Sequence, residues 1–401
     1  MKLLRTEIYN LNRFEEGKFI FDFVNDKRVY EAEEDNRVVF PVINNVYTHT
    51  AISLLGINAS GKTSALVLLT QVLDIFIQNE SLDYDSDFKD FFKTEVTTVN
   101  YVHHEGRLYK IESLIKKDTK RERLYFDQEK FYEKKLPKNI SKKNFFTFSS
   151  KLEPTMERNE LATNSLFGIF LKEEDSIFSS ILNQMEQTNL RIIDHLDETN
   201  INLLSMHSDD IPISFIHYLD SSIELFEVVG EEKVANQPDK FKLKFIDSEE
   251  IIIVDYFNLN KYLSSGTIKG LSILMSIMLI LNNGGYLVID EIENHLNKAI
   301  VLSIIKLFQS SLNQLGATLI FSTHYQEIVD GLDRTDSMYI LRKNESISMV
   351  RFSKLLESND RTDKIKSEIL LSGVYHTAPQ YSRYINLKKD LQAHLINVRG
   401  D

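Results

Sequence analysis

The stretch Gly56-Ile57-Asn58-Ala59-Ser60-Gly61-Lys62-Thr63 decides the reading of this chain. It fits the pattern G-x-x-x-x-G-K-[ST]. Upstream, Asn45 to Leu55 (NVYTHTAISLL) is β-branched and stops at Gly56, and downstream Ser64 to Gln78 carries apolar residues at helical spacing. The order is therefore strand, glycine-bounded loop, helix. Such a loop lets backbone N–H groups turn inward around phosphate oxygens, and the helix behind it adds the positive end of its dipole. Lys62 is placed to neutralise β and γ phosphates, and the Thr63 hydroxyl to ligate Mg²⁺. An accidental glycine-rich turn is the bland alternative; the flanking strand and helix argue against it.

A second motif lies far downstream. Tyr286-Leu287-Val288-Ile289-Asp290-Glu291 is an apolar strand ending in two acids. Side chains at the carboxyl end of such a strand project into the crevice where α/β folds bind ligands. Asp290 is the candidate for holding Mg²⁺, directly or through water. Glu291 is the candidate for orienting and deprotonating the attacking water, because γ-phosphate hydrolysis needs a positioned proton acceptor. Alone, the two acids would read as solvated carboxylates.

Two further stretches gain meaning beside these. Leu263-Ser264-Ser265-Gly266-Thr267 precedes an apolar helix expected over 268–282. It reads either as an ordinary N-cap or as a second anion site, with Ser265, Gly266 and the free N–H groups facing a γ-phosphate. Ser322-Thr323-His324 follows an apolar strand from Thr318, and His324 is a candidate contact for the γ-phosphate and the attacking water. Glu293-Asn294-His295-Leu296-Asn297 lies between them and reads on its own as a helix start.

The remaining pattern places these motifs. Lys2 to Tyr9 and Lys18 to Val24 read as strands, and Thr94 to His103 with Arg107 to Lys116 as an antiparallel pair. Residues 160–230 read as mostly helical, and Phe241 to Ile246 and Ile251 to Tyr256 as strands. From Leu263 the chain alternates helix 268–282, strand Tyr286 to Ile289, helix 298–313, strand Thr318 to Ser322 and strand Ser337 to Arg342. Four units are expected: 1–120 and 256–345 as the two parts of one core, 121–255 as an inserted lobe, and 346–401 as a helical cap.

Composition bounds the function. A net charge of −12 argues against coating nucleic acid by bulk charge, and the absence of cysteine excludes disulfides, zinc–cysteine sites and thiol catalysis. The mixed polar N-terminus shows no secretory signal, and the most apolar run, Leu271 to Leu281, is short for a bilayer span of about 20 residues. A cytoplasmic protein with no membrane partner is expected.

Four motifs in this order resemble ABC-type ATPase heads of chromosome-maintenance and DNA-repair proteins. The chain looks similar to the stand-alone bacterial AAA ATPases related to the overcoming-lysogenization-defect family, common in abortive-infection and anti-phage systems. The resemblance covers Asn45 to Thr63 and nearly all of 263–342. It implies an α/β P-loop NTPase of the ABC-ATPase head type: a mixed central sheet, an antiparallel β subdomain and an inserted, mainly helical lobe. ATP and Mg²⁺ are the implied cofactors. It further implies a head-to-tail ATP sandwich, in which one subunit supplies Gly56 to Thr63, Asp290, Glu291 and His324 and the other presents Ser265 and Gly266. The full expected set is catalytic Glu291, His324 and Lys62; nucleotide-binding Gly56, Asn58, Ser60, Gly61, Lys62, Thr63, Ser64, Ser265 and Gly266; and metal-binding Thr63 and Asp290. Glu293 to Asn297 would be the loop that crosses the dimer interface. Homodimerisation and a separate effector, a nuclease or toxin, are the implied partners.

The departures are informative. Ser-Ser-Gly-Thr replaces the transporter form Ser-Gly-Gly-Gln, the glutamine loop has only Gln184 and Gln187 as candidates, and no heptad arms are present. About sixty residues follow the last strand, too few for a fused nuclease, and Leu371 to Tyr384 resembles the short closing segment of stand-alone relatives. The basic stretch 116–143, with Tyr125, Phe126, Phe131 and Tyr132 interleaved, fits a nucleic-acid surface or a solvated hairpin whose aromatics pack inward. The second is the plainer reading. Besides a turnover enzyme, a nucleotide-gated scaffold and a DNA-loading repair head stay open.

Overall fold

The computed structural model describes residues 1–137, 140–160, 171–182, 190–196, 211–229, 240–357, 366–372 and 381–399. Two six-stranded sheets dominate it. The central sheet runs β10 (Arg191–His195), β14 (Gly285–Ile289), β15 (Thr318–Thr323), β5 (Ala51–Leu55), β16 (Met338–Lys343), β17 (Ile347–Arg351). The first five strands are mutually parallel, and β17 returns antiparallel on the edge. The second sheet is antiparallel: β2 (Lys18–Asp22), β1 (Lys2–Tyr9), β6 (Glu95–His104), β7 (Arg107–Asp118), β8 (Arg123–Lys135), β9 (Met156–Glu157). The fold is thus the expected mixed α/β arrangement with an antiparallel subdomain.

Alternation along the central strands sorts their side chains onto two faces, as the pleat requires. Ile52, Leu54, Val288 and Ile320 face one core, which holds the helix Lys62–Leu73 and the phenylalanines of the antiparallel sheet. Ala51, Leu55, Leu287, Ile289, Leu319 and Phe321 face another core, built with the helices Ser265–Asn283 and Lys298–Phe308. The helix Ser265–Asn283 is longer than the apolar run suggested. It is long and apolar enough to cross a membrane, yet most of it lies buried in the core.

Several elements differ from the sequence reading. Asn45 to Leu55 is not one strand: β4 (Val46–His49) pairs with β3 (Val39–Ile43), and only Ala51 onward joins the central sheet. The break is at Thr50, whose hydroxyl donates to the Arg37 and Val38 carbonyls. The helical reading of 160–230 is corrected for two described segments. Residues 191–195 form edge strand β10, and β11 (Ile223–Val229) belongs to a three-stranded sheet with β12 (Lys240–Phe245) and β13 (Ile252–Asp255). A register shift between Ile223 and Leu225 breaks the alternation that marks a strand. Much of the rest of that stretch, with Gln184 and Gln187, lies outside the described residues, as does most of Leu371 to Tyr384.

In the basic stretch, Phe126 and Phe131 on β8 are buried in the core. The lysines and arginines around them face acids, as in Lys116–Asp127, Lys130–Glu157 and the Arg123–Glu173 pair. The packing matches a hairpin with inward aromatics.

Candidate functional site

The motifs converge because their strands are neighbours in register. Ile289 pairs with Phe321, and Thr323 with Leu55. The residues that follow these strands, Asp290, His324 and Gly56, therefore emerge side by side at the carboxyl edge of the sheet. This is where parallel sheets place their ligands.

The loop from Gly56 to Gly61 turns tightly. Ala59 and Gly61 take left-handed conformations, with φ of 61° and 98°. At Gly61 any side chain would also strike Ile347 on β17. Lys62 opens the helix and is buried, and its Nζ donates to the Gly56 and Ile57 carbonyls at 3.0 and 3.2 Å. Burial lowers its pKa, against the opposing pull of Asp290, Glu291 and Glu293. Ser60 is buried with no partner for its hydroxyl among the described residues, whereas Asn58 and Thr63 are exposed and Ser64 is half-buried.

Lys62 Nζ also lies 3.0 Å from His324 Nδ1. An ammonium only donates, so Nδ1 is the acceptor and the ring proton sits on Nε2. That Nε2 lies 2.8 Å from Glu291 Oε1 and donates to it. The network thus fixes one tautomer and links lysine, histidine and glutamate in a row. Glu291 itself adopts φ +46°, a conformation uncommon outside glycine and asparagine.

Asp290 is held from two sides. Thr63 Oγ1 donates to Oδ2 at 2.5 Å, and the Ser322 hydroxyl donates to Oδ1. Ser322 Oγ also accepts from the Glu291 backbone N–H at 2.7 Å. One buried serine on the neighbouring strand therefore fixes both acids. Glu293 accepts from the His324 backbone N–H at 2.5 Å, while its second carboxylate oxygen is buried without a partner among the described residues. Lys269, buried on the helix Ser265–Asn283, feels Glu293, Glu291 and Asp290, and burial again lowers its pKa.

Ser265 and Gly266 have different company. The helix Ser265–Asn283 is capped by Ser264, whose Oγ accepts from the Thr267 N–H at 3.0 Å. Ser265 Oγ lies 3.2 Å from His295 Nδ1. A Cβ at Gly266 would run into the His295 carbonyl oxygen, so glycine permits this close approach. Within one chain these two residues contact the 293–297 loop.

Sequence reasoning gave Ser322 and Lys269 no role at the site, placed Glu293 only in the loop expected to cross the dimer interface, and read Ser264 only as part of a helix cap or anion loop. Ser264 had a local signal, a serine before a helix with a threonine three residues on. The other three are brought in by strand order and helix packing, which leave no local pattern.

Comparison with known proteins places this geometry. A family model described as "AAA domain, putative AbiEii toxin, Type IV TA system" matches residues 52–330, from the strand before the phosphate loop to just past His324. The chain belongs to this AAA-domain family. It is an AAA-family P-loop ATPase domain, and its phosphate loop and acidic strand fall inside the matched span. Among solved structures it is similar to an SMC head domain from Thermotoga maritima, at 11% identity over 88% of this chain and 99% of that one, with a TM-score of 0.42. An SMC head solved bound to the C-terminal winged-helix domain of ScpA matches at 11% identity over 89% and 100% of the two chains, with a TM-score of 0.47. No curated protein matches the chain.

The donor set fits a magnesium nucleotide. Among the described residues no group of three or more His, Cys, Asp or Glu side chains could hold a metal alone. Thr63 and Asp290 offer adjacent hard oxygens instead. This suits Mg²⁺ in nucleotide sites, where phosphates and waters complete the shell.

Proposed function

We propose that the chain binds ATP with Mg²⁺ and hydrolyses it, at a site completed by a second copy. The row Lys62–His324–Glu291 carries this reading. Lys62 is held by two backbone carbonyls that phosphate oxygens can replace. The N–H groups of 56–63 and the start of the helix Lys62–Leu73 then surround the phosphates. Thr63 and Asp290 would hold the metal, which would supply charge neutralisation on the phosphate oxygens.

Glu291 takes the proton of the attacking water as its oxygen bonds the γ-phosphorus and the bond to the β-phosphate oxygen breaks. His324 Nε2–H holds the Glu291 carboxylate in place, and Ser322 fixes the backbone on which Glu291 stands. Ser265 and Gly266, turned toward His295 in their own chain, are assigned to the γ-phosphate of the partner copy. Residues 293–297 are assigned to the interface between copies.

The units 1–120 and 256–345 are proposed as the ATPase core, to which β8, β9, β10 and β17 add strands, with the rest of 121–255 as the inserted lobe and the rest of 346–401 as the cap. The family description names a toxin and a toxin–antitoxin system. Together with the resemblance to stand-alone AAA ATPases of abortive infection, this supports a cytoplasmic anti-phage component that controls a separate effector.

Multiple-turnover phosphate release tests the enzyme reading. Wild type should release phosphate from Mg-ATP, and Glu291→Gln should lose at least a hundredfold in turnover while still binding ATP. Flat release by both proteins, with ATP-driven dimerisation intact, would instead mark a nucleotide-gated scaffold.

A further inference from the structure

A cavity with a basic lining lies at the opposite end of the central sheet. Strand β17 runs from Ile347, beside the phosphate loop, to Arg351 opposite Tyr339. Four residues at about 3.3 Å each carry Arg351 roughly 13 Å from that loop. There the antiparallel sheet, the end of β17 and the segment 142–146 enclose a cavity of about 270 Å³.

Its lining is basic although the chain is acidic. Five cationic side chains face two carboxylates. The carboxylates are already engaged. Arg5 is paired through Nε and Nη2 with Asp22, and Arg351 lies 3.5 Å from Asp26, which also accepts from the Ser353 hydroxyl. Arg351 is buried, and donates to the Asp22 and Val24 carbonyls and the Tyr339 hydroxyl. This leaves three ammonium groups. Lys142 is half-buried and donates to the Lys27 carbonyl, whereas Lys143 and Lys354 have no hydrogen-bond or ion-pair partner among the described residues. The lining also includes the apolar side chains of Val46 and Phe146, with the Arg5 guanidinium 4.4 Å over the Phe146 ring.

We infer that this cavity binds a small phosphate monoester, its doubly charged group held by Lys142, Lys143 and Lys354 and its organic body against Val46 and Phe146. The three ammonium groups left after the internal pairs are counted are enough to balance a dianion. The volume lies just under the roughly 300–1,000 Å³ typical of drug-sized ligands, which limits the occupant to one nucleotide or one sugar phosphate. The inference does not rest on the ATPase reading.

The test uses the full chain carrying Lys62→Ala, which disables the phosphate loop. Adenosine monophosphate and glucose 6-phosphate are titrated by calorimetry, with adenosine and glucose as controls. At least one phosphorylated probe should bind near one per chain while its control does not. Lys143→Ala with Lys354→Ala should weaken it at least tenfold without changing the circular dichroism spectrum. Which probe binds distinguishes a nucleotide from a sugar phosphate. Failure of both phosphorylated probes, equal binding of the controls, or affinity unchanged by the double substitution would overturn the inference and leave the ATPase reading untouched.

Discussion

Ser322 shows what a single residue contributes to the site. Its hydroxyl donates to Asp290 and accepts from the Glu291 N–H, so it sets the positions of both acids without facing the nucleotide cluster through a charge. Ser322→Ala leaves the phosphate loop intact but frees one Asp290 carboxylate oxygen and the Glu291 backbone N–H. ATP affinity should stay within about threefold while turnover falls at least tenfold, a split read from binding and steady-state phosphate release. Equal losses in both would assign Ser322 to binding instead. Lys62, Thr63, Asp290 and Glu291, the residues proposed to carry the chemistry, stand out in the sequence because each sits in a local pattern tied to a strand end. Ser322 was visible only as part of Ser-Thr-His, and its partners come from the neighbouring strand. Lys269 and Glu293 are legible only once the helix Ser265–Asn283 is folded against the acids.

At the scale of the element, the helix after the phosphate loop ends in a wider turn over Asp74–Gln78. Asp74 sits there at a helix carboxyl end, the wrong pole for an anion. Burial, then Glu80, pushes its pKa up to about 7. The unfolded chain gives up this proton near the ordinary 3.8, so stability falls as pH rises from about 4 to about 7 and is flat above. Asp74→Asn mimics the protonated form. The melting temperature of wild type should drop more between pH 5 and 8 than that of Asp74→Asn, and parallel curves would refute the assignment. At the start of the helix Ser265–Asn283, Ser264→Ala removes a cap and should cost about 1 kcal/mol in denaturant unfolding. Long, strongly patterned elements such as β6, β7 and this helix were legible in the sequence. β10 was not, because five residues on a sheet edge carry too little periodicity, and β11 was hidden by its bulge.

For the whole molecule, strand order is what assembles the site. Residues some 230 positions apart, Thr63 and Asp290, meet because β5 and β14 flank β15. The order of motifs announced this arrangement, but the way the antiparallel sheet covers one face and three helices fill the two cores follows from packing. Ser265 and Gly266 engage His295 within one chain, which leaves their assignment to a partner's phosphate as the account's central claim. Mixing settles it. Lys62→Ala lacks a working phosphate loop, and Ser265→Arg lacks a working face for the partner. Each alone should release phosphate at under about 5% of the wild-type rate, and an equal mixture should recover roughly a quarter of it, since mixed pairs retain one intact site. A mixture no more active than its parts, or full turnover by Ser265→Arg alone, would contradict a site shared between two copies.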